Sequence, residues 1–215
     1  MKERTIIRYR KGFYFTLIGV LFFQCQNTPV ETDPLFLPEG FESKVFVDKI
    51  SETTRHIVVS PQGTVYTKFK KTSKEGSLAA MKDFDGDGVA DSLVKFANDT
   101  TIKGNGYATA ARIYKGYLYF SSELAVYRYK LDPDQLVPKG PLETVVIDDH
   151  PHGMHEHIGK PIAFDNKGNL YVPFGAPSNT CQNPKRTPLQ PGMDPCPQLE
   201  DHGGIWVFDA EKLNQ

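Results

Sequence analysis

The chain has 215 residues, with 25 Lys and Arg against 26 Asp and Glu and a formal net charge of −1. That balance removes the electrostatic ground for nucleic-acid binding. Aromatic residues at 12%, with 18 Gly and 16 Pro, suit a turn-rich all-β chain, and 39% apolar residues suffice for a core.

The N-terminus reads as an export device. Lys2, Arg4, Arg8, Arg10 and Lys11 form a positive segment ahead of an apolar run over 13–23. The run is too short to span a bilayer comfortably and has the form of a signal peptide core. Cys25 follows directly, as in a bacterial lipoprotein signal, although Gln24 stands where a small residue is usual. The expectation is a signal peptide over 1–24, lipidation at Cys25 and a linker over 25–38. The chain would then meet a membrane only through that N-terminal lipid, in a periplasmic or outer-membrane setting. A cleaved signal or an uncleaved anchor are the alternatives.

From residue 39 onward the pattern is that of strands. Residues 41–47 read as an extra strand ahead of the first unit, of the kind that often completes the last blade of a ring. Three units then repeat an apolar run, a turn closing on Gly and a run rich in Val, Leu and Tyr. Gly63, Gly116 and Gly168 mark the turns and stand about 52 residues apart, a period expected of propeller blades. The units cover 55–97, 107–149 and 158 onward, the last reaching the strand around Trp206. Each is strand, tight turn, strand, with a second hairpin behind. Tyr127, Tyr129, Trp206 and Phe208 read as strand core or sheet face. Lys68, Lys70, Lys71 and Lys74 read as a solvated basic run.

The reading is therefore all-β: a partial β-propeller over 39–215, about three blades of a larger ring. Fewer than three complete blades cannot close a propeller, so the sequence reads as part of a longer protein, expected to be inactive alone.

Three local patterns carry chemistry. In Asp83-Phe84-Asp85-Gly86-Asp87-Gly88-Val89-Ala90-Asp91, carboxylates stand at positions 1, 3, 5 and 9 of a short loop, with Gly at 6. Asp83, Asp85, Asp87, Asp91 and the Val89 carbonyl could wrap one Ca2+ in oxygens. The loop is similar to the hairpin loops of integrin α-subunit propellers, and a structural role is expected because it sits on an outer hairpin. A solvated acidic turn is the alternative. His150, His152, His155 and His157, with Met154, crowd the connection into the third unit. They could hold a transition metal, act singly, or form a plain surface loop. Finally, Cys181 and Cys196 remain as a pair if Cys25 carries lipid, bracketing a Pro-rich stretch. A disulfide there suits an oxidising compartment, and two free thiols are the alternative.

Strings over nearly everything after Pro38 resemble the glucose/sorbosone dehydrogenases, and within them the sorbosone dehydrogenase-like branch. They are Leu37-Pro38-Glu39-Gly40-Phe41, Tyr117-Leu118-Tyr119-Phe120-Ser121-Ser122, Lys160-Pro161-Ile162-Ala163-Phe164-Asp165 and Gly168-Asn169-Leu170-Tyr171-Val172. Gly175-Ala176-Pro177-Ser178-Asn179 with Cys181, then Asp194-Pro195-Cys196-Pro197 through His202-Gly203-Gly204-Ile205-Trp206, complete them. The resemblance implies a six-bladed propeller that uses pyrroloquinoline quinone (PQQ) to oxidise sugars or polyols. It also implies a His before the Gly-Lys turn as general base. The matching position is His157, three before Lys160, with His155 as runner-up. Imidazole suits the task because its pKa lies near operating pH. The clamps that hold the quinone come from later blades in that family, so no cofactor-binding residue is assigned, and no Cys-x-x-Cys-His haem motif is present. The electron acceptor is left open. Two other readings compete: a calcium-stabilised propeller that binds glycans or protein partners without catalysis, and a lactonase-type hydrolase propeller, which needs inward carboxylates.

Overall fold

A computed structural model of the chain describes residues 35–102, 110–148 and 156–215. Among them are three antiparallel sheets, a single 3-10 turn over Pro197–Leu199 and no α-helix. The first sheet is β1 (Thr54–Val59), β2 (Val65–Phe69), β3 (Leu78–Lys82) and β4 (Ser92–Phe96). The second is β5 (Ala111–Tyr114), β6 (Tyr117–Ser121), β7 (Ala125–Lys130) and β8 (Glu143–Ile147). The third holds β9 (Ala163–Phe164), β10 (Asn169–Phe174) and β11 (Gly204–Asp209). Every sheet is a meander in which sequence neighbours pair. These are three successive propeller blades, with boundaries close to those of the sequence units.

The turns explain the repeat. Gly63, Gly116 and Gly168 sit at φ of 80°, 77° and 98°, and no heavy atom lies within 4 Å of where a Cβ would stand. The left-handed backbone, not lack of room, is what selects Gly there. Lys115 at φ 45° precedes Gly116, so Tyr114 and Tyr117 flank a two-residue turn whose twist matches the strands. In the third hairpin the Asp165 carboxylate accepts from the N–H groups of Asn169 and Lys167 and from the Tyr171 hydroxyl. The Asn169 N–H and its companions hold that carboxyl down at about 2.

Strand β6 shows how the blades stack. Leu118 and Phe120 point to the first blade, where they join Tyr66, Leu78 and Ala80 in one core. Tyr119 points the other way and joins Val126, Val145 and Val146 against Ile162, Leu170 and Val172 of the third blade. Alternate residues thus serve two interfaces, which buries the strand on both faces. Burying a side chain of this size is worth about 1.5–3 kcal/mol. Aromatic contacts line both seams: Phe96 lies 6.0 Å from Tyr129, and Tyr114 stacks on Phe164 at 4.4 Å. Arg128 ties the second seam. Its Nε donates to Glu143 at 2.6 Å, and Nη1 donates to the Tyr119 hydroxyl and to the Ala210 carbonyl.

The meander sets which loops share an end. The Gly hairpins and the β3–β4 loop lie at one end of the blades. The β2–β3, β6–β7 and β10–β11 connections lie at the other, where β4 and β8 also end.

Two expectations fail. Residues 41–47 form no strand; their one backbone link to the loop beside them is the Phe46 carbonyl accepting from Ala90 N–H at 2.8 Å. Apolar alternation alone does not make a strand without a ladder partner. Lys68 is not solvated but fully buried in β2. It lies two residues past Tyr66 and so faces the same inter-blade side. The remaining lysines of that run, at 70, 71 and 74, are partly or fully exposed as expected.

Candidate functional site

The Asp-rich loop joins β3 to β4 at the Gly-hairpin end. Asp83 accepts from Gly86 N–H and Gly88 N–H at 2.7 Å each, and Asp91 accepts from Phe84 N–H at 2.7 Å. Gly88 and Gly86, as donors, hold the Asp83 carboxyl below its usual value. Ligand oxygens of Asp83, Asp85 and Asp91 converge within 4.8 Å of one another. Asp87 does not join them; its carboxylate accepts from Val89 N–H at 2.7 Å. Three of the four expected carboxylates therefore form the cluster, and Asp87 shapes the loop around it.

The other end carries His157. Its Nε2 lies 2.7 Å from Asn179 Oδ1. The Asn179 N–H and side-chain amide both donate to Glu156 Oε2 at 3.2 Å, and Arg186 reaches the same oxygen at 3.3 Å. Partial desolvation raises the Glu156 carboxyl, but the bonds from Arg186 and Asn179 outweigh it and leave the group below its usual value. Gly175, just past β10, is packed so tightly on the His157 backbone that any Cβ would overlap the His157 carbonyl. Asn179 itself rides on the excursion between β10 and β11, closed by a Cys181–Cys196 disulfide with Cα atoms 5.9 Å apart. Ser178 Oγ accepts from Cys181 N–H beside it.

Behind His157 lies a buried charged cluster between the second and third blades. Lys160 Nζ pairs with Asp148 Oδ2 at 2.6 Å, and His202 Nε2 lies 3.6 Å from Asp148 Oδ1. Lys160 also donates to the Glu123 carbonyl and lies over the Phe174 ring at 5.3 Å. Ser121 Oγ donates to the Lys160 carbonyl. The backbone that carries His157 is anchored by both blades.

A third group lies on the innermost strands, which approach one another as β1 against β5. His56 is held below its usual value by burial first, then by the charges of Arg112, Arg55 and Lys68. Burial pushes Lys68 down to about 7, and its Nζ donates to the Phe69 carbonyl at 3.0 Å. Neither β1 nor β5 contains a carboxylate.

His150, His152, Met154 and His155, the signal segment and Cys25 lie outside the described residues. Glu156 and Asp148 carried no signal in the sequence, while Asn179, Lys160 and His202 stood only as letters of longer strings.

No protein-family profile matches the chain, and no curated protein matches it closely. Solved structures do share its fold. One is a Trichoderma reesei protein of carbohydrate-active enzyme family AA12 in an iodide structure, with TM-score 0.57 and 15% identity over 79% of this chain and 40% of that one. Its calcium structure matches with TM-score 0.54 and 15% identity, over 77% of this chain and 37% of that one. The holo PQQ domain of pyranose dehydrogenase from Coprinopsis cinerea matches with TM-score 0.53 and 17% identity, over 76% and 35%. The chain thus spans well under half the length of the proteins it resembles, and the likeness is one of fold.

Proposed function

We propose that this chain is the N-terminal part of an exported, PQQ-dependent dehydrogenase that oxidises sugars or polyols. The observation that carries the reading is the arrangement at the loop-rich end. There the blades hold His157 through Asn179 and Glu156, on a fold shared with the PQQ domain of a pyranose dehydrogenase.

The residues present suit the quinone. It is a flat polycarboxylate, and the inner strands supply Arg55, His56 and Arg112 with no carboxylate among them. Arg112 and Arg55 would help hold it by charge; further contacts belong to blades beyond this segment. When bound, the quinone supplies a two-electron acceptor. The chain's own contribution is position and proton transfer. His157 takes the hydroxyl proton of the substrate, and the excursion around Asn179 keeps the imidazole in place. The same inner strands lack the carboxylates that a lactonase-type metal channel needs. The Asp83, Asp85 and Asp91 cluster binds Ca2+ in a structural role, away from the chemistry. The charged, apolar N-terminal segment and Cys25 support export and a lipid anchor.

The test is reconstitution of the longer protein containing this segment with PQQ and Ca2+, followed by dye-linked oxidation of an aldose and polyol panel. Quinone-dependent dye reduction is the expected result. Glycan binding without turnover would replace the dehydrogenase reading with the scaffold one.

A further inference from the structure

We propose that Asn179 is a positioning residue that fixes the tautomer of His157, leaving Nδ1 as the atom that takes up a proton. This rests on the dehydrogenase reading for which proton is moved, but not for the tautomer itself.

The inference follows from what each group can donate or accept. The Glu156 carboxylate only accepts. It receives Asn179 N–H and Asn179 Nδ2 on the same oxygen, Oε2, at 3.2 Å each. The amide nitrogen of Asn179 must therefore face Glu156, and its oxygen must face away. A flipped amide would set oxygen against oxygen and lose a bond. That oxygen, Oδ1, lies 2.7 Å from His157 Nε2. An amide oxygen only accepts, so Nε2 carries the hydrogen in both the neutral and the charged ring. In the neutral ring the lone pair is then on Nδ1.

The chain holds this relay from several sides. Arg186 braces Glu156, and the Glu156 N–H donates to the Pro177 carbonyl at 3.2 Å. Lys185 donates to the same carbonyl at 3.1 Å. The Cys181–Cys196 bond closes the excursion two residues beyond Asn179, and Gly175 presses its near end on His157. When Nδ1 gains a proton, the charge formed on the ring meets the Asn179 oxygen, with the Glu156 carboxylate behind it. The order Glu156, Asn179, His157 thus sets both the direction of the basic lone pair and the support of the cation.

The experiment is long-range proton–nitrogen correlation on uniformly labelled chain, without quinone or substrate, at an alkaline pH where imidazole rings are neutral. The resonance is assigned by its loss in His157→Gln. The expected pattern is a protonated Nε2 and an unprotonated Nδ1. In Asn179→Leu, which keeps the branched shape but removes the acceptor, the two tautomers should mix, and Glu156→Gln, which frees the amide to turn, should shift the ring partway. An Nδ1–H pattern in the unaltered chain, or an unchanged pattern in Asn179→Leu, overturns the proposal. In the reconstituted longer enzyme, Asn179→Leu should lower kcat about 10-fold with KM nearly constant, a part of the roughly 10²–10⁴ a general base supplies. Unchanged kcat alongside a mixed tautomer would overturn the positioning role. An inert longer enzyme whose chain still shows the expected tautomer would instead count against the dehydrogenase reading alone.

Discussion

Lys160 and Asp148 form an ion pair of 2.6 Å between two blades, with their side chains 2% and 3% exposed. Each is too deeply buried to stand without the other. Lys160→Met removes the cation 2.6 Å from the Asp148 carboxylate and leaves His202, 3.6 Å away, to face that buried charge, so it should cost about 3 kcal/mol, the low end for breaking a buried pair. Replacing both at once with apolar residues should cost far less. Urea unfolding of the two variants checks this, and a single variant with the same midpoint as the parent would contradict it.

Lys68 gives a pH dependence of definite sign. Its folded pKa falls to about 7 through burial, well below the 10.5 of an exposed lysine. Between those values the unfolded chain binds the extra proton, so stability from this group rises as pH rises and is lost as pH falls toward 7. Lys68→Met should therefore stabilise the chain at neutral pH, on the order of 3 kcal/mol, with the gain fading above about pH 10. Melting curves at several pH values settle it; a gain independent of pH would contradict the assignment.

The Cys181–Cys196 bond closes a loop with a sequence separation of 15. A loop of that size restrains the unfolded chain by about 3 kcal/mol. Substituting both cysteines with Ser should lower stability by about that amount. It should also speed backbone hydrogen exchange around Asn179 while the blade strands keep their protection. Uniform loss of protection across all three sheets would place the disulfide's role elsewhere.

Calcium should act on stability through the Asp83, Asp85 and Asp91 cluster. At about a hundredfold excess over its dissociation constant, a ligand of the folded state adds about 2.7 kcal/mol. The melting temperature should rise with Ca2+ and stop responding in Asp83→Asn and Asp85→Asn. Asp87→Asn should weaken the response less, because that carboxylate caps Val89 N–H instead of facing the other three. Equal losses at Asp87 and Asp83 would restore it as a full ligand.

Much of the blade pattern could be read from Gly63, Gly116 and Gly168, since a left-handed turn position leaves a local mark at each repeat. The Asp loop was legible for the same reason: its spacing is local. Residues 41–47 misled because a strand is a pairing, and pairing is not written in one segment. Lys68 misled because its neighbours 70, 71 and 74 are hydrophilic, while its own burial depends on a second blade. The Glu156–Asn179–His157 relay joins residues up to 23 apart across an irregular excursion, which no periodicity reports.

The most direct test of the dehydrogenase account is the rate of quinone-dependent dye reduction in the longer, reconstituted protein with His157→Ala. A loss of at least about 100-fold in kcat, with quinone affinity preserved, is the expected result. Turnover undiminished by that substitution would contradict the account.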